Sequence, residues 1–144
     1  MAGSPGLDRF TRTYLVVLTI IAVAGIAWWL STWDSRLSQM NKILASDAEL
    51  AGYPYQFKVI SLQNGVAEIS SPRSAEVPVI QFLRIIHPEF NNSSVLDESV
   101  MAAQDELARM QSHAGKLVSD MDEVDSIRWT IDRKWYASNG VYLD

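Results

Sequence analysis

The sequence predicts an α+β protein: one N-terminal membrane-spanning helix with a stalk, then a small domain of a three-stranded antiparallel sheet packed by one short and one long amphipathic helix. Three observations predict it. Residues 13–33 carry no charge. Residues 55–70 read as two strands around an Asn-Gly pair, as a hairpin does. Leu96, Val100, Ala103, Leu107, Met110, Ala114, Leu117 and Met121 recur at spacings of four and three, as on one face of a helix.

Composition bounds the rest. The 144 residues are 48% hydrophobic and 20% charged, too apolar for a disordered chain and enough for one ordinary domain. The net charge of −5 argues against nucleic acid as a partner, because phosphate binding needs clustered Lys and Arg. Without cysteine there are no disulfides, thiolate catalysis or Cys-ligated metal.

The uncharged stretch lies between Arg12 and Asp34, and its 21 residues span about 31 Å as a helix, the thickness of a bilayer's hydrocarbon core. Tyr14 stands at one end and Trp28, Trp29 and Trp33 at the other, where rings anchor at headgroup level. A cleaved signal peptide ending at Ala22-Val23-Ala24 is the rival reading. The apolar run continues through Leu30, past that cut, so an uncleaved anchor fits better. Basic residues flank both ends equally. From Asp34 onward the chain has ten basic and sixteen acidic residues, net −6. This places residues 1–12 as a cytoplasmic tail of a bacterial inner-membrane protein, with the C-terminal domain periplasmic or otherwise extracytoplasmic.

Residues 34–51 contain neither Pro nor Gly and keep an apolar beat at Leu37, Met40 and Leu44, which predicts a helical stalk. Gly52 and Pro54 end it, and residues 52–144 form the domain. Asn64-Gly65 suits a two-residue type I′ turn. The register then pairs Gln63 with Val66, Leu62 with Ala67, Ser61 with Glu68 and Ile60 with Ile69, and sets Ile60, Leu62, Ala67 and Ile69 on one face. Tyr55, Phe57 and Val59 have the opposite parity, so a bulge intervenes or both faces are partly covered.

Pro78 starts a short, largely apolar helix that ends at His87-Pro88. The long helix runs from about Ser94 to Ser119. Ile127, Trp129 and Ile131 alternate with polar neighbours as a strand beside the hairpin, and residues 132–139 form a last helical turn capped by Gly140.

No residues assemble into known chemistry. His87 and His113 begin no metal spacing, and Asp120, Asp122, Glu123 and Asp125 lack the glycine and terminal glutamate of a calcium loop. No nucleophile, base and orienting group occur together. We therefore expect no catalytic residue, metal or cofactor, and no enzyme.

Interaction residues are a different matter. Small Ala22 and Gly25 allow close approach of another membrane helix and share a face with Trp29. Leu37, Met40 and Leu44 form a stalk face. Arg73 and Ser74 lie in a hydroxyl-rich loop before a helix N-terminus, where an anion could be held, although serines that cap turns explain the loop as well. Trp135, with Trp129 and Tyr136 among Arg128, Arg133 and Lys134, suits either an interface or the edge of a core. The expected function is an accessory or scaffolding subunit of a membrane complex, touching the lipid bilayer and other membrane subunits, with a second copy as a further candidate partner. The alternative is an envelope module that binds an anionic group at Arg73.

Overall fold

The computed structural model describes residue 6 and residues 8–144. Part of the expected tail, residues 1–5 and 7, lies outside the described residues, as do the side chains of Trp33 and Asp34. The element order is helix α1 (Arg9–Ser46), helix α2 (Ala48–Ala51), strand β1 (Val59–Gln63), strand β2 (Val66–Ser71), helix α3 (Val79–Ile86), a 3₁₀ turn (Pro88–Phe90), helix α4 (Glu98–Ser119), strand β3 (Ser126–Ile131) and helix α5 (Arg133–Ser138). The chain is α+β, with one long N-terminal apolar helix and a small three-stranded sheet packed by helices. It divides into two compact units, Met1–Arg36 and Leu37–Asp144.

The first unit is helical from Arg9 onward. Three of its threonines bond within the helix. The hydroxyls of Thr13, Thr19 and Thr32 each donate to the carbonyl four residues earlier at 2.8 Å, so these three need no water. The large apolar side chains from Leu15 to Leu30 are exposed.

In the second unit the last turns of α1 are part of the core. Met40 and Leu44 are only 3% and 2% exposed, so the stalk expected at residues 34–51 is not free-standing beyond Arg36. The helical beat is there because the domain's own core requires it. Asp47 then breaks α1, and its carboxylate caps α2 by accepting from the N–H groups of Glu49 and Leu50, as an N-cap side chain does.

The hairpin turn takes the expected form. Asn64 and Gly65 both have positive φ, 51° and 77°, and the pairs Gln63 with Val66, Leu62 with Ala67 and Ser61 with Glu68 hold. Beyond them a bulge at Ile60 pairs Val59, rather than Ile60, with Ile69. Ile60 is turned out and half-exposed, whereas Tyr55, Phe57 and Val59 are buried with Ala67 and Ile69. The extra residue reconciles the two parities.

The sheet order is β1-β2-β3. β1 pairs antiparallel with β2, but β3 runs parallel to β2, so the sheet is mixed and not antiparallel throughout. The connection explains the direction. α4, with 22 residues, is about 33 Å long and carries the chain back to the start of β2, so that the next strand retraces β2's course.

The buried face of α4 holds Val100, Ala103, Leu107, Met110, Ala114 and Val118, and also Gln111 and Gly115. Leu96 precedes the helix and is 79% exposed. At Gly115 the helix comes so close to the sheet that a Cβ would stand 3.1 Å from Cζ2 of Trp129.

Candidate interaction surfaces

Ala22, Gly25 and Trp29 recur at spacings of three and four on α1, and all are exposed. A Cβ added at Gly25 would meet nothing within 4 Å, so this face presents a shallow small-residue depression beside a ring. That shape admits a second helix at short range.

The stalk face does not survive as a partner surface. Leu37 packs against the core, and Met40 and Leu44 lie within it. Between them Asn41 reaches β1: its Nδ2 donates to the Val59 carbonyl at 3.1 Å, and its Oδ1 accepts from the Val59 N–H at 2.7 Å. One amide thus serves the main chain at the bulge, where the ladder cannot.

The loop at Arg73 is held by its own bonds. The Ser71 hydroxyl accepts from the Arg73 N–H and donates to the Arg73 carbonyl. The Ser74 hydroxyl accepts from the N–H groups of Glu76 and Val77, and Arg73 Nε donates to Oε1 of Gln111 at 2.9 Å. The hydroxyls cap turns, and Arg73 serves to satisfy the buried amide of α4. The helix that follows has Pro78 at its N-cap with no side-chain bond.

Trp135 is half-buried in a cluster of rings, with centroids 5.2 Å from Phe82, 5.6 Å from Tyr55 and 5.1 Å from Tyr136. Within this cluster the Tyr55 hydroxyl donates to Asp132 at 2.9 Å, and the Tyr136 hydroxyl donates to the Pro72 carbonyl. Burial pushes the Tyr136 phenol up to about 12 and raises Tyr55 further. The cluster closes the core where β2, α3 and α5 meet.

Two polar sites were not apparent in the sequence. His113 Nε2 lies 3.0 Å from the same Asp47 oxygen that caps α2. Those main-chain donors, and then His113, hold the Asp47 carboxyl below its ordinary range. Because the carboxylate accepts, the His113 nitrogen carries the proton. On the uncovered face of the sheet Glu68 accepts from Thr130 at 2.5 Å and from Ser61 at 3.0 Å, and these bonds lower its pKa too. Spatial proximity created both sites, and no local motif marks either.

A groove of about 510 Å³ runs along the outer side of α3, lined by Pro78, Ile80, Gln81, Arg84, Ile85, Asn91 and Val141. Among the described residues, no three His, Asp or Glu side chains stand where they could hold a metal. Comparison with protein-family models, with curated proteins and with solved structures finds no match.

Proposed function

We infer that the chain is a single-pass membrane-anchored accessory or scaffolding subunit, with residues 13–33 as its anchor and its folded domain on the extracytoplasmic side of a bacterial inner membrane. The observation that carries this reading is the apolar helix itself. α1 is long and apolar enough to cross a membrane, Thr13, Thr19 and Thr32 are bonded within the helix, and Ala22 and Gly25 form the kind of face at which membrane helices associate. The groove on α3 gives the domain a second surface of the mixed character found where proteins meet.

The anion-binding alternative is the weaker reading, because the Ser71 hydroxyl and Arg73 Nε are engaged within the protein and the Ser74 hydroxyl accepts from Glu76 and Val77. Affinity capture of the full chain from its own membranes in mild detergent tests the proposed role. The expected result is stoichiometric recovery of one or more other membrane proteins, reduced by Gly25→Leu. Recovery of this chain with no companion overturns it.

A further inference from the structure

β3 forms one side of the sheet, and half of its main chain faces away from β2. The N–H groups of Ser126 and Asp132 donate to the carbonyls of Gly65 and Ser71 at 3.1 and 2.9 Å. With the parallel register from Val66 with Ser126 to Ser71 with Ile131, the even-numbered residues of β3 turn their main-chain groups toward β2. Those of Ile127, Trp129 and Ile131 therefore point outward, and among the described residues no other hydrogen bond reaches them. The other edge is treated differently, since Asn41 covers β1 at Val59. Apart from the charge of Arg128, β3 has few of the usual protections of an open edge: it contains no proline and no bulge, and Ile127, Trp129 and Ile131 are only partly buried against the core.

We propose that this edge pairs with β3 of a second copy of the chain, antiparallel about a two-fold axis at Trp129. In that register Trp129 opposes Trp129 and Ile127 opposes Ile131, so every outward N–H and C=O of β3 gains a partner. Charge selects the same arrangement. Asp120, Asp122, Glu123 and Asp125 lead into β3, while Arg133 and Lys134 follow it. Antiparallel pairing runs the acidic lead-in of each copy past the basic exit of the other, whereas parallel pairing sets acid beside acid. A slip that opposed Arg128 to Arg128 would place like charges directly across the ladder; the proposed register sets Arg128 against Thr130. Room is adequate as well. α4 touches both β2 and β3, so with strands about 4.8 Å apart the two α4 helices stand about 10 Å apart, an ordinary packing distance. This goes beyond the accessory role and does not depend on it.

The chain has no cysteine, so introduced thiols report on this contact alone. Opposed, non-hydrogen-bonded positions in an antiparallel pair have Cα atoms about 4.5 Å apart, within disulfide range. Arg128→Cys with Thr130→Cys in the full-length chain, oxidised mildly in detergent, is expected to yield a covalent dimer about tenfold faster than either single variant. A double variant that keeps the wild-type thermal midpoint yet stays monomeric overturns the proposal, and so does equally rapid linking by Arg128→Cys alone. The native mass of the unmodified chain in the same detergent gives an answer that needs no variant: two copies are expected, and a single copy at every concentration overturns the pairing.

Discussion

Asn41 holds Val59 by both main-chain groups, accepting its N–H at 2.7 Å and donating to its carbonyl at 3.1 Å. The bond ties α1 to the strand at the residue where a bulge has interrupted normal pairing. Asn41→Leu leaves both Val59 groups without a protein partner in a half-buried place. It should cost about 1–3 kcal/mol, seen as a lower midpoint in denaturant unfolding followed by tryptophan fluorescence. An unchanged midpoint would mean that water replaces the amide without loss.

Gly65 answers to two constraints at once. Its φ is +77°, and a Cβ there would lie 2.2 Å from Oδ2 of Asp125, whose N–H donates to the Gly65 carbonyl at 2.7 Å. Gly65→Ala should destabilise by about 1–2 kcal/mol from the left-handed backbone alone, and further from the clash. Adding Asp125→Ala should recover the second part and not the first, a separation that a double-mutant cycle in thermal unfolding measures.

At Gly115 two effects oppose. Alanine would gain about 1 kcal/mol of helix propensity, but its Cβ would press on Trp129 at 3.1 Å, and Trp129 is backed by Phe57 at a centroid distance of 6.1 Å. Gly115→Ala should therefore stay within about 1 kcal/mol of wild type, while Gly115→Leu, which overfills the gap, loses about 1–3 kcal/mol. Equal melting midpoints for alanine and leucine variants would show that α4 can move off the sheet.

Acidification should weaken the domain through Asp47 and Glu68. Each is ionised more readily when folded, so its contribution is present above the unfolded carboxylate range, about pH 4. It is lost as pH falls through the lower folded value. The thermal midpoint should drop below about pH 4, and Asp47→Asn with Glu68→Gln should start lower at pH 7 and fall less. A double variant with the wild-type pH profile would remove these two carboxylates from the account.

What the sequence disclosed follows from how local each signal is. Asn64-Gly65 specifies a turn whose backbone few other pairs adopt, and three cross-strand pairs follow from that turn. The period of α4 is equally local, and its apolar stripe lies largely in the core. The bulge at Ile60 was legible only as a conflict of parity, because its resolution depends on Asn41 across the edge. The direction of β3 was not legible at all, since alternation along a strand is the same whichever way its neighbour runs. Met40 and Leu44 showed the right period and suggested the wrong owner: a helical beat says that a face is covered, not by what. Arg73 with Gln111, and Asp47 with His113, are separated by 38 and 66 residues, and only the assembled fold brings them together.

One helix supplies both a candidate membrane anchor and the first core element of the domain. Burial of Met40, Leu44 and Leu50 contributes about 1.5–3 kcal/mol each, together comparable to the whole stability of a small domain. The most direct measurement is therefore the denaturant unfolding of two shortened chains, residues 37–144 and residues 52–144. The longer is predicted to unfold in one cooperative transition, and the shorter to lack a cooperative transition. A cooperative transition at the same midpoint in residues 52–144 would contradict the claim and return residues 37–51 to the role of a detached stalk.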